Sequence, residues 1–94
     1  MGKKKIVVQS PLRIGNKVLI RTVTNYVVGM IVIRTKDEIV LTDASWVADT
    51  GRFGDALKNG TLNEVEPYVG PVSIGCGAIV DACNWTHGLP SGQK

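Results

Sequence analysis

Three runs rich in β-branched residues follow one another with only short polar segments between them. Residues 17–23 and 26–34 are dominated by Val and Ile, and residues 39–42 continue the pattern after a polar turn at 35–38. β-Branched side chains favour strands, and strands joined by such short turns pair antiparallel. The sequence therefore predicts a meander of consecutive antiparallel strands, and any fold for this chain has to contain it.

The first of these runs is preceded by a weaker strand signal. Residues 6–8 and 12–14 are apolar and lie on either side of Ser10 and Pro11, and the dipeptide Gly15-Asn16 suits a tight turn. We expect a short edge strand followed by a turn. Gly29, inside the second long run, would weaken a regular strand, so it predicts a bulge or a sharp bend.

The alternation of apolar and polar residues stops after Thr42, and residues 43–54 are therefore predicted to form a loop. A short helix is expected next, because Phe53, Ala56 and Leu57 have the spacing of one helical face. Asn59-Gly60 is a typical helix end.

The remaining chain predicts further short strands. Residues 64–66 and 72–74 have strand patterns, and glycines at 75 and 77 favour a bulge. Residues 78–83 fit a strand or a helix, and periodicity alone does not decide between them. The segment from 86 to 94 is rich in Gly and Pro and offers only Leu89 for packing, so we expect it to fray or to lie along a partner.

A chain of 94 residues forms one small domain with a thin core. We take residues 1–94 as a single domain with a basic N-terminal tail, 1–5, and a Pro/Gly-rich C-terminal tail, 86–94. The predicted fold is mainly β with one short helix: a small, strongly bent antiparallel sheet or partly open barrel of about five to six strands.

Charge and hydropathy exclude several classes of partner. The net charge of +3 comes from Lys3, Lys4 and Lys5, and the other basic residues are scattered singly. Binding to nucleic acid is therefore not expected. No run approaches the roughly 20 apolar residues that span a bilayer, so no membrane association is expected. Without a signal-peptide pattern, Cys76 and Cys83 are expected to be reduced thiols in a cytosol.

The sequence does not predict an enzyme. The single histidine, His87, lies in the C-terminal tail, and Cys76 has no basic neighbour in sequence that would stabilise a thiolate. Helix capping and turn formation account for Asp43 and Asp49 without a metal or an acid–base pair. Residues 75–77 lack the rest of a phosphate-binding glycine motif. We predict no catalytic residue, no metal site and no cofactor.

One segment, residues 41–53, remains as a candidate for binding. Trp46 and Phe53 offer aromatic surfaces, Arg52 offers a planar guanidinium for phosphate or carboxylate, and Asp43 and Asp49 offer acceptors. These groups suit a nucleotide pocket, and they equally suit a protein interface, where Trp and Arg often dominate the binding energy. A third interpretation is purely structural: the two rings cap the open end of the barrel while Arg52 pairs with an aspartate.

Trp85 is a second candidate anchor. Its neighbours, Asn84 and Thr86, are polar, which is more typical of an interface than of a core. With it, the predicted ligand- or partner-binding residues are Asp43, Trp46, Asp49, Arg52, Phe53 and Trp85.

The chain resembles a family of small, uncharacterised proteins encoded by bacteriophages and prophages. The residues that carry the resemblance are 15–21, 43–46 (DASW) with 49–53 (DTGRF), 64–67 (EVEP) and 77–85. It covers nearly the whole chain and implies a viral origin and a bacterial host cytoplasm, without assigning a role to any residue.

Two functions are expected from these observations. In the first, the chain is a homo-oligomeric sponge that sequesters a nucleotide-derived signalling molecule between subunits, with Trp46 and Phe53 stacking on the base and Arg52 meeting the phosphates. In the second, it is a virion component, such as a capsid decoration or cement protein, that binds other virion proteins. A phosphodiesterase acting through Asp43 and Asp49 ranks third.

Overall fold

The computed structural model of the protein describes residues 8–94. The elements in chain order are β1 (Lys17–Thr22), β2 (Tyr26–Arg34), β3 (Glu38–Asp49), α1 (Phe53–Asn59), β4 (Glu64–Pro67), β5 (Val72–Gly75), a turn of 3₁₀ helix (Cys76–Ala78) and β6 (Ile79–Asn84). All strand pairs are antiparallel. The order in the sheet is β4-β3-β2-β1-β6, and β5 also pairs with β3.

The sheet is sharply bent. β5 lies beside β3 and β6 lies beside β1, yet only the 3₁₀ turn joins β5 to β6. Three residues cannot cross a flat sheet of this width, so the strands must curl toward one another. The prediction of a mainly β domain with one short helix and an open, bent sheet of six strands is confirmed.

The sheet buries side chains on both faces because neighbouring residues of a strand point to opposite sides. On β1, Val18 and Ile20 point into one cluster and Leu19 into the other. The cluster that we call the inner core comes from the strands alone: Val18, Ile20, Val27, Ile31, Ile39, Leu41, Ala44 and Ile74. The outer core combines strands with α1 and the segments after it: Leu19, Val28, Val47, Ala56, Leu62, Val65 and Trp85.

The predicted loop at 43–54 is wrong in its first half, because β3 continues to Asp49. Between the pairs Val28–Ser45 and Met30–Thr42, β3 contains one residue more than β2, which defines a β-bulge. Asp43 has a φ of 49° there, a left-handed conformation that Asp tolerates better than most residues. The bulge interrupts the alternation on which strand prediction depends.

The bulge predicted at Gly29 is confirmed, since this glycine faces the extra residue of β3. A Cβ atom at Gly29 would lie 2.9 Å from the Cβ of Ala44 and 3.2 Å from that of Leu41. The two strands could not approach this closely with any other residue at position 29.

The N-terminal prediction is half right. Residues 6 and 7 lie outside the described part of the chain, and residues 8–16 contain no strand. The turn is present, with Gly15 at a φ of 88° and the Asn16 amide donating to the carbonyl of Arg13. The guanidinium of Arg34 donates to the carbonyl of Leu12, and Leu12 packs against the inner core instead of pairing as a strand.

The later elements largely match their patterns. The helix at 53–59 and its end at Gly60, with a φ of 74°, are confirmed, as are β4 and β5. The ambiguous residues 78–83 form most of strand β6. Gly75 ends β5 and Gly77 lies within the 3₁₀ turn, so these glycines do not mark a bulge.

The C-terminal segment does not fray, and it packs on its own chain. His87 Nε2 lies 2.7 Å from the carbonyl oxygen of Leu57, and Leu89 contacts the outer core. Lys94 and Val65 exchange two backbone hydrogen bonds of 2.9 and 3.1 Å, which extends the sheet beyond β4. Composition predicts fraying because the segment has few apolar residues, but the His87 side chain and the Lys94 backbone provide polar contacts that composition does not reveal.

Candidate functional site

A cavity of about 500 Å³ opens where the β3 bulge, the end of β4 and the C-terminal segment meet. We call it the Tyr68 pocket. Its lining residues are Lys17, Asp43, Ala44, Pro67, Tyr68, Leu89, Pro90 and Ser91. The volume falls within the roughly 300–1,000 Å³ of typical small-molecule sites.

Hydrogen bonds to backbone carbonyls hold the walls of the pocket in place. The Tyr68 amide donates to the carbonyl of Ala44 at 2.8 Å, which ties the residue after β4 to the bulge. Lys17 begins β1, and its Nζ donates to the carbonyl of His87 at 2.6 Å. The bulge places Asp43 at the rim, where its side chain is exposed.

The lining groups include one cation, one carboxylate and one aromatic ring, so they can contact a flat ligand that carries both an anionic group and a hydrogen-bond donor. The ring of Tyr68 is 40% exposed, which leaves a face available for stacking. An ammonium group has three donors, so Lys17 can bind an anion while it keeps the bond to His87. Asp43 provides an acceptor for amino or hydroxyl groups, and Leu89 and Pro90 close the apolar side.

A second cavity, of about 350 Å³, lies on the other side of the C-terminal segment. Leu62 and Val65 form its floor, and Gly60 lies at its edge. Pro90 and Ser91 line both cavities, so the segment that contains them separates the two spaces.

The structure does not bring Trp46 and Phe53 together. Val47 pairs directly with Tyr26, and the ring centroids of Tyr26 and Phe53 lie 5.9 Å apart. Trp46 precedes Val47 on β3, so its side chain points to the opposite face of the sheet. The two rings are 38% and 43% exposed, but one base cannot stack on both within a single protomer.

The polar residues of the predicted segment have separate environments. The carboxylate of Asp49 accepts the Gly51 amide at 2.8 Å and so stabilises the turn before α1. Arg52 occupies the position before α1 and is exposed. Within residues 8–94 the single ion pair joins Arg21 to Asp81, so the expected pairing of Arg52 with an aspartate is not observed there.

The interpretation of Trp85 as an interface residue is wrong. Its side chain is 2% exposed and belongs to the outer core, and its Nε1 donates to the Gly88 carbonyl at 3.1 Å. The ring also meets His87 edge to face, with centroids 5.1 Å apart. The polar neighbours in sequence were misleading because the chain turns back over the indole immediately after it.

Sequence reasoning found one residue of the Tyr68 pocket, Asp43, and missed the others. Tyr68 follows a strand that ends in Pro67, and an aromatic ring at such an exposed strand end is a detectable signal. Lys17 has no distinguishing pattern around it in the sequence. Leu89 lies in the Gly- and Pro-rich segment that composition predicts to fray or to lie along a partner.

Cys76 and Cys83 are both free thiols. Burial raises the pKa of the Cys83 thiol above its ordinary value, and the negative charge of Asp81 raises it further. Asp81 also raises the pKa of Arg21, first through their hydrogen bond and then through its charge. A raised thiol pKa favours the unreactive protonated form.

Residues 8–94 hold no group of three or more His, Cys, Asp or Glu side chains placed to bind one metal ion. In the same part of the chain, no helix has the length and apolar character required to cross a bilayer.

No protein-family model, curated protein or solved structure matches this chain. A functional assignment therefore depends on its own residues and their geometry.

Proposed function

We propose that the protein is a non-enzymatic, phage-encoded binding protein that sequesters a nucleotide-derived signalling molecule in the Tyr68 pocket. The observation that carries the proposal is the pocket itself, which combines an exposed aromatic ring, an ammonium group and a carboxylate around about 500 Å³. Stacking on Tyr68 would hold a base, and Lys17 would hold a phosphate. The resemblance to small phage proteins implies a viral origin, and we propose that the sequestered molecule belongs to a host defence response.

Sequestration requires binding and no chemical step. Two of the groups considered for catalysis have structural partners: His87 Nε2 contacts the Leu57 carbonyl, and the Asp49 carboxylate accepts the Gly51 amide. These contacts support a structural role over an acid–base role for both residues.

We further propose that the protein acts as a homo-oligomer. Trp46 and Phe53 are exposed on opposite faces of the sheet, so a ligand or protein surface that contacts both rings would have to lie between two copies. Exposed aromatic side chains of this kind often anchor protein interfaces.

The test is native mass spectrometry of the protein purified from its host cells, followed by isothermal titration calorimetry with the small molecule that is released on heating. We expect a retained nucleotide, and we expect Tyr68→Ala and Lys17→Ala each to weaken its binding by about tenfold or more. Arg52→Ala is the matched control, because this cation is exposed and does not line the pocket.

Two results would contradict this assignment. Protein that carries no small molecule and binds none of the common nucleotides would remove the sponge hypothesis. Loss of binding in Arg52→Ala with full binding in Tyr68→Ala would move the ligand to a site between copies, as the sequence alone predicts.

A role as a virion structural component is the second candidate. The observation that favours it is Trp46, which is 38% exposed and lies opposite Glu66 on β4, near the margin of the sheet. An indole at such a margin suits contact with a neighbouring protein. Mass spectrometry of purified phage particles tests this role: peptides of this chain at high copy number would support it, and their absence would exclude it.

A further inference from the structure

We propose that residues 88–94, which we call the strap, open and close over the Tyr68 pocket as a unit while the rest of the fold stays intact. This proposal rests on the proposed function, since it describes how the same pocket would be regulated.

The strap has a firm root. The buried Trp85 donates its ring N–H to the Gly88 carbonyl, and His87 contacts the Leu57 carbonyl on α1. Gly88 follows directly, and a glycine accepts a wider range of backbone angles than any other residue. Motion of the strap can therefore begin at Gly88 without disturbing the residues before it.

Few contacts hold the strap itself. Leu89 packs against the outer core, and the Lys94 backbone pairs with Val65 through two hydrogen bonds. The Lys94 side chain also donates to the carbonyl of Leu62 at 3.2 Å, and Gln93 makes an exposed contact of 3.4 Å with Glu66. Between these two points, residues 90–93 make no backbone hydrogen bond to residues 8–94. Segments with few apolar contacts and exposed hydrogen bonds are those that open locally in native proteins.

Opening of the strap would change the binding site directly. Pro90 and Ser91 separate the two cavities of about 500 and 350 Å³, so their displacement would merge both spaces into one groove. Opening would also break both backbone hydrogen bonds between Val65 and Lys94.

The strap itself provides the link to a ligand, because Leu89, Pro90 and Ser91 line the Tyr68 pocket. Lys17, whose Nζ donates to the carbonyl of His87 at the root, stays in place when the strap opens. A nucleotide held by Lys17 would contact the three strap residues only while the strap is closed. A bound nucleotide should therefore favour the closed strap.

Amide hydrogen exchange, measured by NMR, tests the strap on the intact chain. The Val65 amide donates to Lys94 and so reports the strap, whereas the Ile31 amide donates to the Asn16 carbonyl and reports the inner core. We expect the protection factor of Val65 to be about a hundredfold lower than that of Ile31 and to stay unchanged in low, non-denaturing urea. Leu89→Ala should lower it about tenfold more, and Val80→Ala, an exposed change on β6, should not.

Equal protection of Val65 and Ile31, with a parallel fall of both in urea, would show that the strap opens only with global unfolding and would overturn the proposal. Adding adenosine monophosphate as the probe should raise the protection of Val65. If calorimetry shows that this nucleotide binds and the protection of Val65 does not rise, the link between ligand and strap is wrong. The exchange measurement without nucleotide does not depend on any ligand, so its outcome is separate from that of the proposed function.

Discussion

The two faces of the sheet are buried in different ways. Strand residues alone form the inner core, and side chains such as Ile31 and Leu41 are completely buried there. The outer core needs a helix of seven residues and a segment rich in Gly and Pro to cover it. Both cavities lie beside the C-terminal segment. From this difference we expect side chains of the inner core to contribute more to stability than the contacts of the C-terminal segment.

The sharpest test of this difference is truncation of an inner side chain. Ile31→Ala should lower the free energy of unfolding by about 4 kcal/mol, because it removes a fully buried side chain from a core without room to collapse. Urea denaturation measures the change. Val32→Ala, the adjacent and partly exposed position on β2, is the matched control and should change stability by less than about 0.5 kcal/mol.

A smaller effect is expected in the outer layer. His87→Ala removes the contact with the Leu57 carbonyl and the edge-to-face packing on Trp85, and should cost about 1–2 kcal/mol in the same assay. Gln93→Ala serves as the control within the same segment, since its side chain makes only a 3.4 Å contact with Glu66. If His87→Ala lowered the free energy of unfolding as much as Ile31→Ala does, the two layers would not differ in their contribution to stability.

The smallest expected effect concerns Cys83, which packs against the outer core. Because its pKa is raised in the folded protein, the unfolded chain loses this proton at a lower pH. The contribution of the thiol to stability is therefore complete below the pKa of the unfolded thiol and is lost as the pH rises through the folded pKa. Alkylation by iodoacetamide at pH 8 should be several-fold slower for Cys83 in the folded protein than in urea.

The control for this measurement is Cys83→Ala, which leaves Cys76 as the single reactive thiol. The urea midpoint of this variant should fall less between pH 7 and pH 9.5 than that of the parent protein. An equal fall in both proteins, or equal alkylation of Cys83 with and without urea, would show that burial does not protect this thiol.

Local pattern was sufficient for the parts of the fold in which neighbouring residues determine the structure. The β1–β2 hairpin follows from two β-branched runs around a polar turn, and α1 follows from its apolar spacing and from Gly60. Gly29 was identified as a bulge because an isolated glycine has few other uses in a strand.

Pattern failed where contacts between distant residues decide the structure. The second half of β3 was lost because the bulge at Asp43 shifts the alternation by one residue. The C-terminal segment is ordered through Leu57 on α1 and Val65 on β4, about 30 residues earlier in the chain, and nothing in its own composition indicates them. For the same reason, Tyr68 and Leu89 could not be placed beside Asp43 before the fold was known.

Asp43 combines two requirements at one position. Among residues 8–94 it supplies the single carboxylate in the wall of the Tyr68 pocket, and it adopts the positive φ that redirects β3. Glycine adopts that conformation freely, and among the L-residues chiefly Asn and Asp adopt it at low cost. Substitution at position 43 is therefore confined to Asp, which provides a charged acceptor, Asn, which provides a neutral amide, and Gly, which provides no side chain. A relative that recognised a more acidic ligand would be expected to carry Asn there, since that exchange removes the charge and preserves the course of the strand.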